Sequence, residues 1–133
     1  MQAVKAKITK SLQHGSLIET CDNSGAKIVK FISAKGQKTV KNRYPKAGVA
    51  DFILVSVVSG KPDMRKQVVP AIIVRQKKEY RRMDGTRIKF EDNAVVILKD
   101  DKGTPKGTIF KGAIAKEATA RWPGLAKIAK IVV

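Results

Sequence analysis

Residues 71–97, AIIVRQKKEYRRMDGTRIKFEDNAVVI, decide the fold of this chain. The stretch begins with Ala71-Ile72-Ile73-Val74, a β-branched run typical of a buried strand, and returns to such a run at Val95-Val96-Ile97-Leu98. Between the two runs, Asp84-Gly85 supplies the positive φ angles that a tight hairpin turn requires. Arg87-Ile88-Lys89-Phe90 then alternates charged and apolar residues, as a half-buried strand does. We therefore predict two anchored strands that hold a cationic arm (residues 75–89) in solvent.

The charge of the whole chain points to a polyanionic partner. Its 133 residues suffice for one domain with a modest core, and its formal net charge is +17, from 28 Lys+Arg against 11 Asp+Glu. So much like charge repels itself unless a partner neutralises it. Nucleic acid is the usual partner, and an acidic membrane surface is the second. Hydrophobic residues make up 43% of the chain, which excludes a disordered basic tail.

Short strands separated by turns are predicted along most of the chain. Residues 16–21 and 26–34 alternate on either side of Asp22-Asn23-Ser24-Gly25, a strong turn signal, and residues 49–58 predict a core strand. The pattern favours a small barrel or a sandwich. No second domain is indicated, so we expect one domain over residues 1–133.

Helical periodicity is confined to the end of the chain, at about residues 115–130. Residues 115–122 are Ala-rich and predict a short helix that Pro123 ends. Residues 125–130 could form a second helical turn, and Ile131-Val132-Val133 could dock as a terminal strand.

The residues needed for catalysis or for metal binding are scarce. Cys21 is the single cysteine, which excludes an internal disulfide, and we expect an ordinary buried or half-buried thiol. His14 is the single histidine and lies in a polar turn. Residues 107–112 resemble a phosphate loop but lack its lysine. We predict no enzyme activity, no catalytic residue, no metal site and no cofactor. The chain start has no apolar run of signal-peptide length and no stretch long enough for a membrane span, so we expect a cytoplasmic protein without a membrane partner.

Three basic clusters in predicted loops, residues 35–46, 61–66 and 75–89, form the candidate binding surface. Arginine offers planar, bidentate donors to phosphate, and tyrosine rings stack on unpaired bases at about 1–3 kcal/mol each. A merely solvated face, with tyrosines in the core, is the plainer alternative. The candidate stacking residues are Tyr44 and Tyr80. The candidate contacts to nucleic acid are Lys35, Lys38, Arg43, Lys61, Arg65, Lys66, Arg75, Lys77, Lys78, Arg81 and Arg82.

Residues 71–97 also carry a family pattern: a small residue, three aliphatics, a basic stretch, Asp-Gly, an aromatic, Asn and further aliphatics. The matching positions are Ala71, Ile72-Ile73-Val74, 75–83, Asp84-Gly85, Phe90, Asn93 and Val96-Ile97. Further matches are Asp22-Asn23-Ser24-Gly25-Ala26, Gly60-Lys61-Pro62, Arg65-Lys66, Ala115-Lys116-Glu117 and Trp122-Pro123. Over essentially its whole length the chain resembles the universal large-subunit ribosomal protein family numbered fourteen in the bacterial series. Its ending, ARWPGLAKIAKIVV, is similar to the archaeal and eukaryotic branch, and the short N-terminus looks archaeal.

The resemblance implies a mainly β protein, with a small five-stranded β-barrel, a projecting β-ribbon and a short C-terminal helical segment. It also implies partners: large-subunit rRNA, small-subunit rRNA at intersubunit bridges, neighbouring large-subunit ribosomal proteins and a subunit anti-association factor. The C-terminal helical part would serve the protein contacts. Two positions depart from the family pattern, because Ala50-Asp51 and Gly112-Ala113 stand where Gly-Asp and Gly-Pro are usual.

Two other classes of protein compete with this interpretation. A free-standing barrel that binds single-stranded nucleic acid would present several aromatic residues on one strand face. Here Phe31, Phe52, Phe90 and Phe110 all lie in apolar strand contexts and are expected in the core. A peripheral enzyme would have to use Asp100 and Asp101, which are more simply explained as turn acids.

Overall fold

The computed structural model describes residues 3–4 and 6–133, and its centre is a closed barrel of five strands. The strands are, in chain order, β1 (Ala6–Lys7), β2 (Leu12–Gln13), β3 (Leu17–Thr20), β4 (Ala26–Ala34), β5 (Lys46–Ala47), β6 (Phe52–Gly60), β7 (Val68–Arg75), β8 (Tyr80–Arg82), β9 (Arg87–Ile88), β10 (Ala94–Ile97), β11 (Ala113–Ile114) and β12 (Ile131–Val132). Two short helices, α1 (Lys116–Arg121) and α2 (Pro123–Ala126), precede β12. The predicted fold class, a mainly β five-stranded barrel with a helical C-terminal segment, is confirmed.

Neighbouring strands of the barrel follow the order β10-β3-β4-β6-β7, and β10 pairs with β7 to close it. All pairs are antiparallel except β10 with β3. Alternation in β4 and β6 turns side chains such as Phe31 and Val55 inward. Ala71 to Val74 are all buried, because the C-terminal segment covers the outside of β7, where the Ala115 N–H donates to the Val74 carbonyl.

The four phenylalanines were expected in the core. Phe31, Phe52 and Phe110 are buried there, and Phe90 is half-buried against it. The barrel therefore has no row of exposed phenylalanines on which bases could stack, which removes the main requirement of the free-standing single-strand-binding barrel.

The strand predicted over residues 49–58 begins later than expected, at Phe52. Residues 48–51 form a turn instead, in which Asp51 donates its N–H to the Gly48 carbonyl and accepts the Gly48 N–H on its carboxylate. Ala50 takes a φ of 72° there, a left-handed conformation that favours glycine. The Ala50 carbonyl accepts the indole N–H of Trp122 at 2.8 Å, so the turn is tied to the end of α1.

Pro123 separates the two C-terminal helices, and the first of them ends before it, as predicted. α1 ends at Arg121, and Pro123 begins α2 at a position where its missing N–H leaves no hydrogen bond unmade. The helical turn predicted over residues 125–130 is shorter and earlier than expected, at Pro123–Ala126. The predicted terminal strand is present as β12, which pairs in parallel with β11.

The Cys21 thiol is buried, as predicted, and burial raises the pKa of this thiol to about 12. The reactive thiolate is correspondingly rare near neutral pH. We expect a disulfide reagent at pH 8 to modify the native protein about 1000-fold more slowly than the unfolded chain. Absorbance of the released thiol, recorded in buffer and in concentrated denaturant, measures both rates. Equal rates would contradict this assignment.

Candidate nucleic-acid interface

A basic groove of about 820 Å³ opens beside the long connection between β4 and β6. Among the described residues that line it, Asp51 is the one acid, and it pairs with Lys10 at 2.8 Å and with Arg121 at 3.2 Å. The other cations of the groove are exposed, and none forms a salt bridge within the described part of the chain; these are Lys35, Lys38, Arg43 and Lys46. The groove thus combines a floor in which one acid is paired with two cations and a rim of unpaired cations.

The loop that carries this rim is fixed at both ends. At its start, the Lys35 N–H donates to the Phe52 carbonyl at 2.9 Å, and the Lys35 ammonium lies 5.2 Å from the centre of the Phe52 ring. At its end, the Lys46 N–H donates to the side chain of Gln37, and β5 pairs with β2. The middle of the loop, residues 38–44, stays exposed. Long cationic side chains there are anchored on a rigid base and remain free to adjust to a partner.

The second predicted cluster, Lys61, Arg65 and Lys66, lies at the opposite end of the barrel. Because β4 and β6 are antiparallel, the loop after Ala34 and the loop after Gly60 leave opposite ends of this strand pair. The Lys61 N–H donates to the Gly25 carbonyl, and the Arg65 Nε donates to the Gly60 carbonyl at 3.0 Å. All three cationic side chains are exposed.

The third cluster, in the arm, is divided between solvent and the interior. The predicted turn at Asp84-Gly85 is confirmed, with a φ of 90° at Gly85, and it joins β8 to β9. However, β1 pairs with β8, so the arm is one part of a three-stranded sheet. Lys77, Lys78 and Arg81 are exposed, as a binding role requires.

Arg75 was predicted to reach into solvent, and this is wrong. Its guanidinium donates to both carboxylate oxygens of Asp92, at 2.9 and 3.2 Å, and to the carbonyls of Lys111 and Ala113. These contacts use its planar set of donors internally, so we withdraw Arg75 as an RNA contact. Asp92 is accordingly the ion-pair partner of Arg75.

Tyr80 and Arg82 are likewise turned inward, towards Glu117 of α1. Tyr80 donates its hydroxyl to Glu117 Oε2 at 2.8 Å, and Arg82 donates its Nε to Glu117 Oε1 at 2.8 Å. Burial and the bond to Glu117 raise the pKa of Tyr80, whereas for Arg82 the bonds with Tyr80 and Glu117 outweigh burial and raise its pKa. A ring with 0% exposure cannot stack on a base, so the role predicted for Tyr80 is withdrawn with that of Arg82. Tyr44, by contrast, is 72% exposed in the groove loop.

Sequence reasoning missed three cations of the groove: Lys10, Lys46 and Arg121. Lys46 lies within the predicted basic loop (residues 35–46), so its charge and position could have identified it as a candidate contact. Lys10 and Arg121 carry no local signal, because only the pairing of β2 with β5 and the packing of α1 bring them to Asp51.

Within residues 3–4 and 6–133, no helix combines the length and apolar character that a membrane crossing requires.

Fold and site together define a class: a small, strongly basic β-barrel that gathers cations in a groove and in exposed loops. The chain belongs to the family described as ribosomal protein L14p/L23e, whose model matches residues 11–133. It is therefore a protein of the large ribosomal subunit, located in the cytoplasmic ribosome, and the resemblance seen in the sequence is confirmed.

Similar proteins with the name large ribosomal subunit protein uL14 come from several archaea. The protein of Nanoarchaeum equitans is 59% identical over the full length of both chains, and that of Methanococcus vannielii is 51% identical over 99% of each. The protein of Halobacterium salinarum is 52% identical, again over both full lengths. These relatives are named as ribosomal proteins and not as enzymes. Their archaeal sources agree with the branch that the chain ending indicated.

Proposed function

We propose that this protein binds large-subunit rRNA, chiefly through the cationic rim of the basic groove. The observation that carries the proposal is the rim itself: Lys35, Lys38, Arg43 and Lys46 are exposed beside Asp51, whose charge Lys10 and Arg121 already balance. A polyanion supplies the neutralisation that this rim lacks. Tyr44, exposed within the same loop, offers an aromatic face to an unpaired base.

The remaining exposed cations extend this contact around the barrel. Lys77, Lys78 and Arg81 of the arm, together with Lys61, Arg65 and Lys66 at the far end, complete the set of proposed rRNA contacts. Because two of the clusters lie at opposite ends of the β4–β6 pair, the protein has separate surfaces for two RNA segments. One end holds large-subunit rRNA, and the other contributes to an intersubunit bridge with small-subunit rRNA. Neighbouring large-subunit proteins and the subunit anti-association factor are its protein partners, with the C-terminal helical part among the contacts.

The proposal predicts that neutralising the rim weakens rRNA binding in a salt-dependent manner. In the variant K35Q/K38Q/R43Q, three phosphate contacts are lost, so the slope of log affinity against log salt falls by about 2–3 and the affinity by at least ~10-fold. Filter binding of the isolated protein to large-subunit rRNA, over a salt titration, measures both quantities.

The matched control is K99Q/K102Q/K127Q, which removes the same charge from exposed lysines outside the groove. It is expected to retain most of the slope, because binding then depends on the position of the charge and not on the net charge alone. If both triple variants lost affinity equally, the groove would have no particular role and the proposal would fail.

A further inference from the structure

One wall of the barrel is unusually apolar on its outer side. Leu17 of β3, Ile28 of β4, Leu54 and Val58 of β6, and Val68 of β7 all point away from the core. Leu17 and Val68 are 63% and 61% exposed. Outward positions of a sheet that faces water usually carry polar side chains. We call these five residues the apolar wall.

Strand register gathers the apolar wall on neighbouring strands around one cation, with Glu19 at its edge, where it pairs with Ile28 across the β3–β4 ladder. Lys30 pairs with Leu17 across the β3–β4 ladder and with Ser56 across the β4–β6 ladder, and Ser56 pairs in turn with Val68. Leu54 and Val58 lie two residues to either side of Ser56, on the same face of β6. Lys30 is exposed and forms no salt bridge with any residue that the structure describes. On this face Lys30 therefore lies among aliphatic side chains and Ser56. Glu19, the acid on the same face of β3, forms no salt bridge with it.

We propose that the apolar wall is the docking surface for a neighbouring protein of the large subunit, one that presents aliphatic side chains around an Asp or Glu carboxylate. Aliphatic groups at the contact remove the wall from water. Once the contact excludes water, the Lys30 ammonium requires an opposite charge, because an unpaired buried charge is strongly unfavourable. The inference rests on the proposed function only in that neighbouring proteins contact this chain.

Charge and chemistry favour this occupant over two others. RNA offers phosphates to Lys30, but its backbone gains nothing from five aliphatic side chains that neither donate nor accept hydrogen bonds. A second copy of this chain would bring together two proteins of net charge +17. In a two-fold arrangement the same patch faces itself, so Lys30 would approach the other Lys30. A polypeptide that presents aliphatic side chains around a carboxylate matches both the apolar side chains of the wall and the charge of Lys30.

Carbodiimide cross-linking of purified large subunits tests the proposal, since this reagent joins an ammonium to a carboxylate that it already contacts. We expect a peptide containing Lys30 to be linked to an Asp or Glu with aliphatic neighbours in a different ribosomal protein. In subunits carrying K30Q this link is lost, and in those carrying K27Q, which removes an exposed lysine of the same strand, it persists. The variant L54S/V58S, which weakens the apolar contact without touching Lys30, lowers the yield several-fold.

Other outcomes would overturn the proposal. These are a Lys30 link to another copy of this chain, or a Lys30 that acetic anhydride modifies in intact subunits as readily as in the isolated protein. Isolated K30Q is expected to bind rRNA with the wild-type salt slope. A failed cross-link therefore leaves the groove proposal intact, and a failed groove test leaves this one intact.

Discussion

Replacing Glu117 with alanine is expected to lower the free energy of unfolding by about 3–5 kcal/mol. Its carboxylate is almost fully buried and accepts hydrogen bonds from both the Tyr80 hydroxyl and the Arg82 guanidinium. Without it, a largely buried guanidinium and a buried phenol lose their shared acceptor. Removing one partner of a buried ion pair is more harmful than removing both, because the remaining charge stays desolvated.

Urea denaturation followed by circular dichroism measures this loss, and two variants calibrate it. Tyr80→Phe removes one hydrogen bond and keeps the ring, so it should cost about 1 kcal/mol. Glu91→Ala removes an exposed acid and should change stability by less than about 0.5 kcal/mol. A loss for Glu117→Ala no larger than that of Glu91→Ala would mean that the pair with Arg82 does not hold the arm against α1.

The second large effect is expected at Gly60, where Gly60→Ala should destabilise the fold by about 2–4 kcal/mol. Gly60 has a φ of 149° and pairs with Ala26 in the β4–β6 ladder. A β-carbon on Gly60 would lie only 2.9 Å from the Ala26 Cα and would also collide with the Gly25 carbonyl oxygen. Both neighbours are backbone atoms, so relief requires that the two strands separate.

Gly15→Ala is the matched control for Gly60→Ala. Gly15 also has a positive φ, 91°, but no atom lies within 4 Å of a β-carbon built there. Only backbone strain of about 1 kcal/mol is then expected. Thermal denaturation of the two variants separates strain from collision, and equal losses would show that the close approach at Gly60 is unimportant. A shifted Gly60 would also disturb Arg65, whose Nε donates to the Gly60 carbonyl.

The family motif Asp22-Asn23-Ser24-Gly25 illustrates how far a local signal reaches. Its composition predicted a turn, and a turn joins β3 to β4. Its second role was not predictable. Asp22 is buried, where burial raises its pKa, and it accepts the Ile97 N–H at 3.0 Å, while Asn23 accepts the Thr108 N–H at 2.8 Å. Those partners lie more than seventy residues away in the sequence, and no local pattern names them.

For the candidate nucleic-acid interface, too, the sequence predicted one part and only the fold decided the other. The sequence located the basic loops, because a run of like charge identifies an exposed segment whatever the fold. It did not separate the cations that face solvent from those that serve the interior. Arg81 and Arg82 are adjacent in β8, yet alternation along the strand leaves one exposed and turns the other towards Glu117. The rRNA contacts proposed for Arg81 and for the groove rim stay predictions until binding is measured.

The sequence by itself determined the local structure of this protein: the alternating patterns of its strands, the residues of its turns and the proline that divides two helices. It also determined the excess of positive charge and the family. Each of these depends on residues a few positions apart, so the chain carries the signal directly. Only the tertiary structure decided which charges are available. Lys10 and Arg121 meet at Asp51, and Arg82 meets Glu117, through pairings that span 35 to 70 residues. Such ion pairs depend on which strands close the barrel, and this is a property of the whole fold.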